Sequence, residues 1–97
     1  NFVSSSDARF KTEVETIGAA LEIVEHLRGV RFTADGFRQI GVIAQETEPH
    51  LPEVVFETED GIKRVAYGNI TGLLIEAIKD LSARIMQLET EKRDEQP

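Results

Sequence analysis

The sequence has no cysteine and no tryptophan, and only 6% of its residues are aromatic. The lack of cysteine excludes a disulfide framework and a thiolate metal site. No apolar run approaches the roughly 20 residues that a membrane-spanning helix needs, and no signal-peptide pattern opens the chain. The glycines are scattered singly, so the sequence contains no phosphate-binding loop. We therefore expect no membrane partner and no cofactor.

Positive charge is also scarce. Eleven Lys and Arg residues stand against 18 Asp and Glu residues, which gives a formal net charge of −7. This balance argues against a nucleic-acid partner. The 97 residues allow one small domain, which often needs a partner chain for stability. The first residue is Asn1 rather than methionine, so we interpret the chain as a fragment of a longer protein.

No cluster of metal-ligating residues is apparent. The two histidines, His26 and His50, lie far apart and have no ligand spacing around them. A stretch rich in carboxylates is better interpreted as a solvated acidic face than as a cation site or as acid–base machinery. We therefore expect no metal site. The carboxylates of this stretch are Glu46, Glu48, Glu53 and Glu57.

The pattern of apolar residues predicts an α+β fold. Apolar residues from Ile17 to Leu27 recur at helical spacing. Two later segments read as strand, turn and strand, centred on Asp35-Gly36 and on Asp60-Gly61. A short helix or turn, bounded by Pro52, lies between them. A weak alternation from Phe10 to Val14 predicts another strand.

The C-terminal part predicts a long helix, at about residues 69–90. Its apolar residues step by four and three, which is a heptad pattern with Ile at a and Leu at d. Arg84 at a g position can reach Glu89 at an e position of a neighbouring chain. By themselves, Ile at a and Leu at d favour two strands, and an amphipathic helix packed on its own domain is the other interpretation. We call this set the heptad seam: Leu74, Ile78, Leu81, Ile85 and Leu88.

Near the N-terminus, Ser6 offers a hydroxyl and Lys11 an amine, five residues apart. Serine is a weak nucleophile until a base removes its proton, and a neutral lysine can be that base. Positions five apart face each other in neither a helix nor a strand, so Asp7 and Ala8 must turn the chain if the two are to meet. A cation such as Arg9 favours the neutral amine, whereas Asp7 opposes it. Taken alone, this spacing carries little weight, and a polar N-terminal arm is the simpler interpretation.

Five stretches taken in order form a more specific set, which covers roughly residues 5–90. They are Ser6-Asp7-Ala8-Arg9-Phe10-Lys11, Leu27-Arg28-Gly29-Val30-Arg31-Phe32, Ile40-Gly41-Val42-Ile43-Ala44-Gln45-Glu46, Leu51-Pro52-Glu53-Val54-Val55, and Val65-Ala66-Tyr67 through Leu73-Leu74-Ile75-Glu76-Ala77-Ile78-Lys79. The set resembles the self-cleaving intramolecular chaperone domain at the C-terminus of phage tail spikes and fibres, including endosialidases and neck appendages. A related domain occurs in myelin regulatory factor. Phe10 stands where leucine is usual in that family, and Thr47 where valine is usual.

The resemblance implies a homotrimer whose C-terminal helices form a parallel coiled coil on a small α+β domain. It implies an intramolecular chaperone that assists the folding of an upstream β-rich fibre or spike. It also implies a serine endopeptidase that acts once, in cis, and cuts between Ser5 and Ser6. In that pattern Ser6 is the nucleophile and Lys11 the general base, with no cofactor and no metal.

On this interpretation, residues 1–5 are a remnant of the upstream stalk and residues 6–97 are the chaperone domain. The partners are two further copies and the stalk of the same polypeptide, without nucleic acid or membrane. The expected location is the cytoplasm of a phage-infected or prophage-bearing bacterium during assembly, or a cell-surface parent protein. Two alternatives stay open: a trimerisation cap that does not cleave, and a protein-binding module with an acidic surface.

Overall fold

A computed structural model describes residues 3–95 and confirms the α+β class. Two antiparallel hairpins and short helices precede a long C-terminal helix. The helices are α1 (Ala20–Glu25), α2 (Ala44–Thr47) and α3 (Tyr67–Asp94), and 3₁₀ turns lie at Ala8–Phe10 and Pro52–Val54. The first hairpin joins β1 (Val30–Ala34) to β2 (Phe37–Gly41), and the second joins β3 (Val55–Glu57) to β4 (Lys63–Val65).

Both hairpins form where the sequence places an Asp-Gly pair between two strands. In the first hairpin Ala34 pairs with Phe37, and the turn residues Asp35 and Gly36 have φ angles of 52° and 79°. A two-residue turn of this kind needs positive φ at both positions, which Asp tolerates and Gly adopts without strain. Gly61 in the second hairpin also has a positive φ, of 80°. The two predicted hairpins are thereby confirmed.

The core lies between α1, the 3₁₀ turn at Pro52–Val54 and one face of α3. Leu73 is its most deeply buried large apolar side chain, with 1% of its surface exposed. The buried residues of α3 recur at spacings of three and four, which places them on one face. Burial of a leucine side chain contributes about 2 kcal/mol, so this face fixes α3 to the domain. The buried cluster consists of Ala20, Leu51, Val54, Ile70, Leu73 and Ala77.

The first helix is shorter than its sequence pattern predicts. The apolar spacing predicts a helix from Ile17 to Leu27, whereas α1 spans Ala20–Glu25. Ala19 has a left-handed φ of 53°, and this conformation interrupts the helix at its start. Asp80 of α3 accepts a hydrogen bond from the Leu21 amide at 3.4 Å. A donor in the first turn of α1 is therefore satisfied by a distant helix.

The long helix extends beyond the domain that packs on its first half. It has 28 residues, or about 42 Å at 1.5 Å per residue, and it exceeds the expected 69–90 at both ends. Every residue from Leu81 to Glu95 is exposed, so an interpretation in which the whole helix packs on its own domain is wrong. The exposed large apolar residues of α3 include the whole heptad seam: Leu74, Ile78, Leu81, Ile85 and Leu88.

No helix among residues 3–95 has both the length and the apolar character needed to cross a membrane.

Tyr67, the first residue of α3, ties that helix to the first hairpin. Its hydroxyl donates to the Val42 carbonyl at 3.2 Å and accepts from the Val42 amide at 3.1 Å. Gly41 leaves room for the ring, because a Cβ there would lie 3.0 Å from the Tyr67 Cζ and closer still to the hydroxyl oxygen. The close approach of the ring to the backbone thus requires glycine at this position.

We expect Gly41→Ala to destabilise the fold by about 1–3 kcal/mol, the range typical of overpacking, because the added methyl group meets the Tyr67 ring. Gly29→Ala is the matched control, since a Cβ on Gly29 meets no heavy atom within 4 Å. It should change stability by less than about 0.5 kcal/mol. Urea unfolding at one fixed chain concentration measures both variants, and equal effects would contradict this role for Tyr67.

Candidate functional site

Ser6 and Lys11 meet on the N-terminal arm, which we define as the described residues from Val3 to Ala19 that precede α1. Lys11 Nζ donates a hydrogen bond to Ser6 Oγ at 2.6 Å. At this distance an amine in its neutral form is placed to take the hydroxyl proton. We refer to these two residues as the Ser6–Lys11 pair.

A single 3₁₀ turn at Ala8–Phe10 produces this contact. Backbone hydrogen bonds donated by the Phe10 and Lys11 amides, both at 3.1 Å, close the turn. The strand predicted from Phe10 to Val14 is therefore wrong, because the weak alternation there does not outweigh the local hydrogen bonds of the turn. The turn carries Lys11 back toward Ser6, whereas in a strand the two side chains would lie on opposite faces.

Asp7 caps this turn, and Arg9 holds the Asp7 carboxylate in place. Asp7 Oδ1 accepts from the Arg9 amide at 2.9 Å and from Arg9 Nε at 3.1 Å, and Oδ2 accepts from Nη2 at 2.8 Å. The hydrogen bonds from the Arg9 side chain, and then that from its amide, lower the pKa of Asp7. Asp7 in turn raises the pKa of Arg9. The sequence suggested that Arg9 acts as a cation on Lys11, but the structure pairs its charge with Asp7 instead.

A cleft of about 350 Å³ lies beside the Ser6–Lys11 pair. It is lined by Ser5, Asp7, Phe10 and Lys11. Residues 3–19 are all exposed, and Phe10 has 81% of its surface in contact with solvent. A single chain therefore leaves the proposed site open to water.

The carboxylates between residues 46 and 57 form ion pairs and an exposed surface. Glu46 accepts two hydrogen bonds from Arg28, at 3.0 and 2.7 Å, and these lower the pKa of Glu46. Lys63 pairs with Glu48, and this hydrogen bond raises the pKa of the lysine. The other two carboxylates of the stretch are exposed. This arrangement agrees with a solvated acidic face.

His26 and His50, which are far apart in the sequence, stack on each other. Their ring centroids are 4.7 Å apart and their planes differ by 28°. His26 Nδ1 also forms a hydrogen bond with the Glu22 carbonyl at 2.8 Å. Sequence spacing could not reveal this contact, because it joins the end of α1 to the segment after α2. Within residues 3–95, no group of three or more potential ligand side chains is arranged to hold a metal ion.

Two contacts had little or no signal in the sequence. The pairing of Arg9 with Asp7 had a partial signal, since an Asp just before a turn is a typical capping residue. The contact of Tyr67 with the Val42 backbone had none, because it joins residues 25 positions apart.

Comparison with known proteins gives the class of this domain. The sequence profile of a peptidase family described as the chaperone of endosialidase matches residues 6–56. The match begins at Ser6 and runs through the 3₁₀ turn, α1, the first hairpin and α2 into β3. The chain belongs to this family.

The chain is also similar to long tail fibre proteins of bacteriophages. It is 37% identical over 101 residues to the long tail fiber protein Gp37 of Enterobacteria phage K3, and likewise to that of phage T2. Each match covers 93% of this chain and 8% of the relative, so the chain spans less than a tenth of their length. Gp37 of Enterobacteria phage M1 is 41% identical over 56 residues, which is 55% of this chain and 22% of that relative.

We expect Arg9→Gln to raise the pKa of Asp7 toward the ordinary carboxyl value, because the hydrogen bonds from the charged side chain are lost while the backbone cap remains. NMR titration of the Asp7 carboxyl carbon measures this change. Arg28→Gln, which removes a second Arg–carboxylate pair, is the matched control and should leave Asp7 unchanged.

Because the pKa of Asp7 is lowered, the order of the turn at Ala8–Phe10 should depend on pH in a defined direction. The ion pair between Asp7 and Arg9 therefore orders the turn fully at pH values above those at which an ordinary Asp carboxyl titrates. It is lost as the pH falls through the lowered value. An Asp7 titration that is the same in Arg9→Gln and in the unsubstituted chain would contradict the ion pair.

Proposed function

We propose that this chain is the intramolecular chaperone domain of a phage tail fibre, that it assembles as a homotrimer, and that it releases itself by cutting its backbone between Ser5 and Ser6. Family membership and similarity to long tail fibre proteins support the chaperone role. The observation that carries the cleavage is the 2.6 Å hydrogen bond from Lys11 Nζ to Ser6 Oγ. In this proposal residues 1–5 belong to the upstream stalk and residues 6–97 to the chaperone domain.

In the proposed reaction, neutral Lys11 takes the hydroxyl proton of Ser6 as the oxygen attacks the carbonyl carbon of Ser5. A C–O bond forms and the C–N bond of that peptide unit breaks, so the Ser5 acyl group passes to oxygen as an ester. The proton moves from Lys11 to the leaving amine of Ser6. Water then hydrolyses the ester, which gives a Ser5 carboxylate and restores the hydroxyl of Ser6, now the N-terminal residue.

The position of the bond favours this route. The hydroxyl of Ser6 reaches the preceding carbonyl through a five-membered ring, so nucleophile and electrophile belong to adjacent residues. Ser5 lines the same cleft as Lys11. A positioned intramolecular attack avoids most of the entropy cost of bringing two reactants together. The base must then be held in place, and the 3₁₀ turn at Ala8–Phe10 supplies that contact.

The exposed half of α3 supports assembly into an oligomer. Residues 81–95 are exposed in the single chain, and an isolated helix of this length is marginal in water. Within the heptad seam, Ile78 is 66% and Leu88 63% exposed. Winding copies around this seam covers it. The a and d residue types alone favour two strands, whereas the family resemblance favours three.

A trimeric clamp suits the folding of a fibre. Intertwined β-rich stalks depend on contacts between distant residues and fold slowly. Joining three chains at one end raises the effective concentration of the segments that must pair and fixes their register. Assembly would also make cleavage follow trimer formation, because neighbours packed beside the arm would bury Lys11, and burial favours a neutral lysine. The setting is a phage-infected or prophage-bearing bacterium in which fibres are assembled.

A second candidate is a trimerisation cap that does not cleave. The observation that favours it is the exposure of both residues of the Ser6–Lys11 pair in the single chain. The two candidates share the chaperone role and differ only in the fate of the bond between Ser5 and Ser6.

In a chain extended upstream by its natural sequence, we expect cleavage between Ser5 and Ser6. Ser6→Ala and Lys11→Met should each slow it by at least about 100-fold, because the nucleophile or the base is lost. Lys11→Arg should do the same, since a guanidinium stays protonated, whereas Ser6→Cys keeps some activity because a thiol can make the same attack. Intact mass and N-terminal sequencing of both fragments give the position of the cut.

Ser4→Ala is the matched control on the arm and should leave cleavage unchanged. Uncleaved Ser6→Ala should still form a trimeric stalk, because assembly needs the clamp and not the cut. A new terminus elsewhere, or persistent cleavage in Ser6→Ala, would rule out Ser6 as the nucleophile. Trimers of the unsubstituted chain that stay intact would favour the non-cleaving cap.

We expect Ile78→Asp to dissociate the trimer, because it places a carboxylate from each chain in an apolar seam. Ala83→Asp is the matched control: Ala83 is exposed and occupies heptad position f, on the side of the helix away from the seam. It should stay trimeric, at a helix-propensity cost of about 0.7 kcal/mol or less. Sedimentation equilibrium measures both variants, and a monomeric or dimeric unsubstituted chain would contradict the trimer.

A further inference from the structure

We propose that the ion pair between Asp7 and Arg9 is a positioning device for the Ser6–Lys11 pair. It fixes the turn that brings the two side chains together, and it cancels the charge of a carboxylate that lines the same cleft. This inference rests on the proposed cleavage and adds two positioning residues to it.

The turn depends on local contacts, because packing does not hold it. None of the three residues of the turn at Ala8–Phe10 is buried. Asp7 has the extended backbone of a helix cap, with φ −72° and ψ 132°, and its side chain accepts from the Arg9 amide. Arg9 then donates from its own side chain to both carboxylate oxygens. The same two residues thus close the turn through the backbone and lock it through the side chains.

The charge of Asp7 matters because this carboxylate and Lys11 line one cleft. An unpaired carboxylate there attracts the ammonium form of Lys11, which cannot act as a base. Arg9 places a positive charge directly against that carboxylate, at 2.8 Å. The pair therefore presents little net charge to the amine. The other acidic residues of the arm, Glu13 and Glu15, follow Lys11 and are exposed.

Arginine suits this role better than lysine. Its planar guanidinium donates to both oxygens of one carboxylate at once, which fixes the carboxylate's orientation as well as its charge. An ammonium is a point charge and leaves that orientation free. Arg9→Lys should therefore keep the charge balance but hold the turn less firmly.

The test is the pH dependence of cleavage in the chain extended upstream by its natural sequence. Arg9→Gln leaves the Asp7 carboxylate unpaired, and this negative charge favours the ammonium form of the base. The midpoint of the pH–rate profile should therefore move to higher pH. Its rate at neutral pH should fall several-fold, up to about tenfold for a shift of one pH unit. Asp7→Asn keeps a capping oxygen but leaves the Arg9 cation unpaired, so its midpoint should move to lower pH. The double variant carries neither charge, and its midpoint should return close to that of the unsubstituted chain.

Opposite shifts that cancel in the double variant would support the inference, since a purely structural role lowers the plateau rate without moving the midpoint. Arg28→Gln is the matched control, because it removes a similar exposed pair with Glu46 and should change neither quantity. If the unsubstituted chain does not cleave, the proposed function fails. A different result overturns this inference alone. In that result the unsubstituted chain cleaves and Ser6→Ala does not, but the midpoints of Asp7→Asn and Arg9→Gln coincide with that of the unsubstituted chain.

Discussion

The packing of α1 on the first half of α3 is the interaction on which the rest of the structure depends. One face of α3 supplies Ile70, Leu73 and Ala77 to the core. At the beginning of the helix, Tyr67 holds the first hairpin through the Val42 backbone. Near the end of the packed region, Asp80 accepts from the first turn of α1. Beyond this point every described residue of α3 is exposed, and the exposed heptad seam, which begins at Leu74, continues along the helix.

The proposed site is built in a different way from the core. Its geometry comes from hydrogen bonds among residues 6–11, and all of these residues are exposed. A site on a loop normally has less precise geometry than one on a rigid element. Here a capped 3₁₀ turn gives the loop a defined shape over a few residues. The arm can therefore hold the Ser6–Lys11 contact without help from the buried cluster, and in the proposed trimer the neighbouring chains need only change its surroundings.

The parts of the fold that the sequence predicts are those governed by short-range rules. The hairpins follow from Asp35-Gly36 and Gly61, because positive φ at these positions suits few other residues. The long helix follows from the spacing of its apolar residues. The predicted start of α1 was wrong. The left-handed conformation of Ala19 and the hydrogen bond from the Leu21 amide to the distant Asp80 leave no signal in the local sequence pattern. The approach of Tyr67 to Gly41 and the stacking of His26 on His50 also join distant segments.

The proposed site is only partly predictable from the sequence, unlike the hairpins, which follow local rules, and the contacts between distant segments, which do not. The need for a turn between Ser6 and Lys11 follows from their spacing, since neither a helix nor a strand joins positions five apart. The form of the turn does not, because the choice between a strand and a 3₁₀ turn at Phe10 depends on weak, competing local preferences. The sequence also shows that Asp7 and Arg9 are near each other without showing that they neutralise each other.

The bond between Ser5 and Ser6 lies on the arm, outside the packed core, and this placement has a kinetic consequence. Breaking it removes none of the buried contacts, so a chaperone domain is as well folded after the cut as before. In the proposed trimer, a fibre with one or two severed chains stays attached through the remaining chain. Detachment must therefore wait for the slowest of three separate events, and it should show a lag even when each individual cut follows a single exponential.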